Sequence, residues 1–307
     1  MLFKSEKWGS LTRDILQNPE TGTFLSIIPE YSSAIHTLIL NGKNGKNTLI
    51  QEDTDPEGYI GSILKHPSCK LSPFPSRLKN ASYTFNGIEY SLPKNDRGGK
   101  HAIHGFLSFA KFEREIPEFE NQLHYSYNFE GVEGYPFTFR IEIVYTLNEN
   151  ELIVETRYNN THGKEFPLGD GWHHYFTTPE GSDQYSITLP VDKIMILDED
   201  LLPNGDVQPV KIENMSLKGV NLDACYYVEE GQSIVETVLT HKEKKMTLWQ
   251  ETGKDKYNFL VVYTPGGRDQ IAIEPLTCGP DMLNSGLNSI LLTVNKPLIL
   301  KMGIRVE

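Results

Sequence analysis

The chain reads as a succession of strands. In Phe139-Arg-Ile-Glu-Ile-Val-Tyr-Thr-Leu147 the odd positions carry Phe, Ile, Ile, Tyr and Leu, the period-two pattern of a strand with one buried face. Asn148-Glu-Asn150 supplies a turn and Leu152-Ile-Val-Glu-Thr-Arg-Tyr158 returns, so the two runs predict a hairpin. Comparable runs cover 24–29, 34–40 and 81–85 in the first third, and 185–189, 193–197, 233–239, 245–250, 258–264, 270–274, 290–294 and 298–306 beyond it. Asn86-Gly87 marks a tight hairpin turn. Helical patterns are scarce and short, with 1–16 the best candidate. Many strands separated by Gly, Pro, Asn and Asp turns predict an all-β protein of stacked antiparallel sheets. No linker-like stretch or internal repeat interrupts it, so residues 1–307 are expected to form a single β-sandwich domain.

Bulk properties narrow the function more than the fold. With 38% hydrophobic and 23% charged residues among 307, the chain fits a globular protein with a sizeable core. A net charge of −12 and a pI near 5.3 argue against nucleic acid or an anionic membrane as partner. No run approaches the roughly 18 to 20 apolar residues of a membrane span, and the first residues lack the apolar core of a signal peptide. Cys69, Cys225 and Cys278 are odd in number and far apart, which predicts reduced thiols and a cytoplasmic location. Cys278 is read as a small buried hydrophobe.

Two runs concentrate the candidate chemistry. Pro167-Leu-Gly-Asp-Gly-Trp-His-His-Tyr-Phe176 brings imidazoles into a Gly-rich, aromatic setting, and Ile273-Glu-Pro-Leu-Thr-Cys-Gly-Pro-Asp-Met-Leu-Asn284 places Glu274 at the end of an apolar run. A His and a Glu facing one small polar ligand can give a proton at one point and take one at another. Read as bare residues, Glu274 is equally an exposed charge on a solvated strand, and each His a satisfied structural one. Strand alternation puts Ala272 and Glu274 on one face and Ile271 and Ile273 on the other, and Pro275 is expected to end regular pairing. His173 and His174, as neighbours, must face opposite ways. Trp172, Tyr175 and Phe176 offer apolar faces to a ligand or fill the core. The spacing of the histidines lacks the His-Glu-x-x-His form of a zinc site, and no nucleotide-binding glycine motif is present, so no metal and no cofactor are expected.

Together with Ser72-Pro-Phe-Pro-Ser-Arg77 and His101-Ala-Ile-His-Gly105, these runs resemble the aldose 1-epimerase (galactose mutarotase) family, from the Ile28 region to the Asn284 region. The resemblance implies a large antiparallel β-sandwich with its sugar site in an open cleft on one sheet. It implies interconversion of the α and β anomers of a free aldohexose such as glucose or galactose. Glu274 would be the catalytic base. His173 aligns with the His of the family's His-Pro-Tyr-Phe and would be the general acid, His174 standing where the family has Pro. His104 would polarise the ring oxygen, with His101 at the surface. Arg77, preceded by Ser76 in place of the usual Asn, and Asp223 would hold sugar hydroxyls. An epimerase for a hexose 6-phosphate and a non-catalytic carbohydrate-binding protein remain the alternatives. A glycosidase fits less well, because only one well-placed carboxylate is on offer.

Overall fold

Residues 1–16, expected as a helix, form two strands instead, Leu2–Trp8 and Leu11–Asn18, paired from Leu2↔Gln17 to Trp8↔Leu11. Gly9, at φ +61°, turns the chain between them. That turn leaves each half too short for a helix to repay its nucleation cost, whereas a ladder forms across it. The computed structural model, which describes residues 1–52 and 55–307, continues these strands into a five-stranded antiparallel meander through Thr23–Ile28, Ala34–Gly42 and Gly45–Gln51.

Two larger sheets face each other. The nine-stranded sheet contains the predicted hairpin, now Phe139–Leu147 and Glu151–Asn160, in register from Phe139↔Asn160 to Leu147↔Leu152. Every odd residue from 139 to 147 is buried and every even one half-buried, as the alternation requires. Leu298–Val306 inserts beside Glu151–Asn160 in the middle of this sheet. The six-stranded sheet runs in the order His174–Thr177, Gln270–Leu276, Phe259–Tyr263, Asp223–Val228, Val191–Leu197, Pro203–Pro209. Its alternation sorts side chains to two destinations. Phe176, Tyr226, Leu260, Val262, Ile271 and Ile273 join the large core between the sheets, while Cys225, Phe259 and Leu276 form a small cluster with Leu71 and Met195 on the other face. Each buried side chain of this size contributes about 1.5–3 kcal/mol, and a one-residue slip would exchange the two faces. The chain is thus all-β, built of large antiparallel sheets. Asn86 and Gly87, at φ +51° and +77°, make the tight turn between Ser82–Phe85 and Ile88–Ser91.

An ion pair is sealed between the sheets. Lys70 Nζ lies 2.6 Å from Asp170 Oδ2, and neither side chain is exposed. Tyr257 donates its hydroxyl to Oδ2 at 2.9 Å, Tyr158 donates to Oδ1, and Lys70 donates also to Thr156 Oγ1 at 3.2 Å. The ammonium rests 4.1 Å from the centroid of the Trp172 ring. Burial brings Lys70 down to about 8, with the Asp170 charge pulling the other way. Thr156 and Tyr158 belong to the nine-stranded sheet, whereas Asp170 leads through Gly171, Trp172 and His173 into the strand His174–Thr177. The pair therefore ties the two layers together beneath the candidate site.

Candidate functional site

Strand register decides which side chains share the outer face of the six-stranded sheet. His174 pairs with Ile273 and Tyr175 with Ala272, so Tyr175 and the preceding His173 share a face with Ala272 and Glu274. His173 Nε2 lies 3.4 Å from Glu274 Oε1, a looser contact than a hydrogen bond. The His173 ring stacks on Tyr175 with centroids 4.7 Å apart. His174 turns inward and stacks on Trp172 at 5.2 Å. Trp172 and Phe176 are core residues, and Cys278 is a buried free thiol in the same core. Pro275 does not end the strand as expected: it pairs with Leu260, and Leu276 with Phe259. Its carbonyl accepts from Trp172 N at 3.3 Å. Its ring nitrogen faces the same side, where an isolated bridge has replaced the ladder, so the proline sacrifices no bond.

The loop side of the site adds two more imidazoles. His104 sits at φ +62°, followed by Gly105 at φ +65°. A Cβ on Gly105 would come within 2.3 Å of the Ser72 carbonyl oxygen, which is why this turn carries glycine. Ser76 N donates to His104 Nδ1 at 3.2 Å, leaving the proton, and hence a donor, on Nε2. His66 is not among the residues expected from sequence, yet its ring centroid is 4.8 Å from that of His104 and 6.5 Å from that of His173. Ser108 Oγ gives its proton to the Lys70 carbonyl at 3.2 Å and contacts His66 Nδ1 at 3.0 Å. His66 is therefore protonated at Nδ1, with Nε2 an acceptor. Its local sequence, Lys65-His66-Pro67, sits in a loop with no periodicity to mark it. Among the described residues no group of three or more His, Cys, Asp or Glu is placed to hold a metal ion.

Arg77 lies on the short strand Arg77–Leu78, opposite Ile103, and its charge is felt at both His104 and Asp223. Asp223 starts the strand Asp223–Val228, where it is the exposed end of an otherwise largely buried run. Crowding by protein atoms raises its pKa, and Arg77 opposes the rise. Glu274 thus has His173 beside it and Asp223 within electrostatic reach. The structure brings all five predicted side chains to one region. His101 departs from the surface position expected for it: it is buried, its Nδ1 accepts from Asn80 N at 3.1 Å, and it anchors the loop that leads to His104.

Burial sets the proton inventory. Desolvation raises the Glu274 carboxyl well above the usual carboxylate range, with Asp223 adding to the rise. Desolvation, aided by His66, pushes His173 down to about 3. Both shifts favour the neutral forms, so the resting pair holds one proton, on Glu274. Moving it to His173 creates a base and an acid without changing the net charge. If catalysis uses this one-proton form, kcat/KM falls in acid only near pH 3 and falls in alkali as Glu274 loses its raised-pKa proton. The profile, corrected for the buffer-catalysed rate, is expected to show that alkaline limb. A single rise near pH 4.5 with no alkaline fall is the outcome for an unperturbed Glu274 acting alone.

Comparisons with known proteins bear on the whole chain. Residues 16–301 match the family described as Aldose 1-epimerase. The uncharacterized protein YihR of Escherichia coli K12 is 29% identical over 244 residues, covering 76% of this chain and 77% of that protein. The galactose mutarotase of Rattus norvegicus is 30% identical over 193 residues, covering 60% of this chain and 54% of the rat protein, so the match spans about half the length of that relative. Among solved structures, a galactose mutarotase-like protein from Clostridium acetobutylicum aligns with TM-score 0.83 at 19% identity, covering 100% of this chain and 98% of its own. The galactose 1-epimerase of Lactobacillus acidophilus aligns with TM-score 0.79 at 15% identity, covering 100% and 98%. At such identities the structures speak for the fold, and the family match speaks for descent. The chain belongs to the aldose 1-epimerase family.

Proposed function

We propose that this protein interconverts the α and β anomers of a free aldohexose by opening and reclosing its ring. The observation that carries the reading is the His173–Glu274 pair, 3.4 Å apart on one sheet face of a chain from this family. Ring opening requires the C1 hydroxyl to lose a proton and the ring oxygen to gain one. Two positioned groups supply both transfers, each contributing about 10²–10⁴-fold. Glu274 takes the C1 proton and His173 protonates the ring oxygen. The aldehyde rotates about C1–C2, and the same groups run in reverse to close the ring from the other face. His104, a donor at Nε2, polarises the ring oxygen, while Arg77 and Asp223 hold hydroxyls. Polarimetry of freshly dissolved α-D-glucose and α-D-galactose tests the reading, with acceleration over the buffer rate the expected result. No acceleration with either sugar sinks it. Glucose 6-phosphate is expected to be the poorer substrate, since Lys100, one of the cations nearest in sequence, is already held by Asp200 at 2.6 Å.

Two variants separate the roles. The Arg77 guanidinium donates to no group among the described residues, so its five N–H donors remain for a ligand. Arg77→Ala is expected to raise KM about tenfold or more, as loss of a charged hydrogen bond does, with a smaller fall in kcat. His173→Asn is expected to lower turnover about 10²-fold, and His174→Asn far less, because adjacent strand residues face opposite ways. Steady-state kinetics on all three variants decide it. A dead His174→Asn beside a near-normal His173→Asn reverses the assignment.

A further inference from the structure

Three imidazoles, His66, His104 and His173, face one another in the site, and the ring opening described above uses only the last two. His66 is nevertheless held firmly. It sits at φ +56° and ψ +46° at the end of the short 3-10 helix Ile63–Lys65, a left-handed conformation that a residue with a Cβ keeps only where its surroundings hold it. Two backbone bonds contribute to the hold. Ser68 N donates to the His173 carbonyl at 2.9 Å, and His173 N donates to the Cys69 carbonyl at 3.2 Å. The loop that follows His66 is thus laced to the backbone of His173 itself.

The two loop imidazoles have opposite polarity. His66 gives its Nδ1 proton to Ser108 Oγ, whose own proton goes to the Lys70 carbonyl, so His66 Nε2 carries a lone pair. His104 keeps its proton on Nε2. Among the described residues neither Nε2 atom has a partner within the protein, and neither is sealed from solvent. Both are therefore free to meet a ligand. Burial brings His66 down to about 4, so the lone pair is available at neutral pH. The exposed ring of Phe109, the residue after Ser108, lies 5.8 Å from that of His66 and sets an apolar surface beside the acceptor.

An aldohexose offers groups that match this arrangement. With C1 at Glu274 and the ring oxygen at His104, the other neighbour of the ring oxygen is C5. That carbon carries the hydroxymethyl group, an apolar CH2 ending in a proton donor. The His66 ring stands further from His173 than the His104 ring does, 6.5 Å against 5.6 Å between centroids, which suits the C5 side of the sugar and not the C1 side. We propose that His66 selects for the C6 hydroxyl, its Nε2 accepting that proton while Phe109 lies against the CH2 group. The inference rests on the anomerase reading above, which places C1 and the ring oxygen. Aldohexoses with a free C6 hydroxyl are then preferred over 6-deoxy sugars and pentoses.

The test compares mutarotation of D-galactose with that of 6-deoxy-D-galactose and 6-deoxy-6-fluoro-D-galactose, each corrected for its buffer rate. Wild type is expected to favour galactose over both analogues by about tenfold or more in kcat/KM, because each leaves a buried acceptor without a donor. Fluorine cannot donate, so a fluoro analogue as good as galactose overturns the acceptor role. His66→Phe keeps a ring but removes the acceptor. It should lower galactose kcat/KM about tenfold or more, to the level of the 6-deoxy sugar, whose own value moves by no more than about twofold. His66→Gln, whose amide oxygen extends toward the place of Nε2, should recover part of the preference. Equal turnover of galactose and 6-deoxygalactose by wild type, or an equal loss on both in a folded His66→Phe, overturns the inference and leaves the anomerase reading standing. Should His66→Phe fail to fold, the wild-type comparison decides alone. No turnover of glucose, galactose or either analogue overturns the anomerase reading, and the role of His66 with it.

Discussion

Glu274→Gln is expected to lower kcat by about 10²-fold or more while sugar affinity changes little. Glutamine keeps the shape of the side chain and a hydrogen-bonding group toward the ligand, but it cannot take up the C1 proton. It also removes the carboxyl whose proton is passed to His173, so both halves of the relay lose their partner. The loss should therefore appear in kcat and kcat/KM alike, the pattern of an interaction made in the transition state. The alkaline limb should vanish from whatever activity remains. Polarimetric kinetics with a parallel measurement of sugar binding by calorimetry check this. Wild-type mutarotation by Glu274→Gln removes the carboxylate from the mechanism.

Asp170→Asn is expected to destabilise the fold by about 3–5 kcal/mol, the usual cost of leaving one member of a buried pair without its partner. The Lys70 ammonium has no exposure, so it cannot turn to water and must shed its proton. Its pKa, already about 8 in the presence of Asp170, falls further without it. Urea unfolding should show a lower midpoint at unchanged slope. Lys70→Met combined with Asp170→Asn should recover much of the loss, because the pair's mutual attraction only offsets its desolvation. A double variant as unstable as the sum of the singles would show that Lys70 and Asp170 act independently.

The legible parts of this chain were those where a single physical rule dominates. Alternation at 139–147 located a strand and its buried face together, and adjacency alone told that His173 and His174 must separate. The placement of Arg77, His104 and Asp223 near Glu274 came from resemblance to the family, since nothing in their spacing says that distant loops meet. His66 had no such support: it lies at φ +56° in a loop and enters the site through tertiary packing. The helix expected over 1–16 does not form because Gly9 turns the chain and breaks the apolar spacing on either side of it. The short helix Pro56–Ser62 was missed although Asp55 caps it, accepting from Gly58 N at 2.8 Å, with Pro56 in its first turn. Its signal is local and polar, a cap and a proline, with no apolar periodicity beside it. Pro275 misled for a similar reason. Whether a proline ends a strand depends on which side its nitrogen faces, and the sequence does not say.

The strand His174–Thr177 is at one edge of its sheet, and Gly45–Gln51, the last strand of the N-terminal meander, packs against it. An outermost strand carries unused backbone donors and acceptors, a template on which other chains can grow. The meander therefore acts as a guard against self-association as well as a wall. A version trimmed of its first fifty or so residues would bare that template beside an apolar core, and fibrous or amorphous precipitation would follow before any question of catalysis arose. Shortening this protein for crystallisation or display is better begun elsewhere.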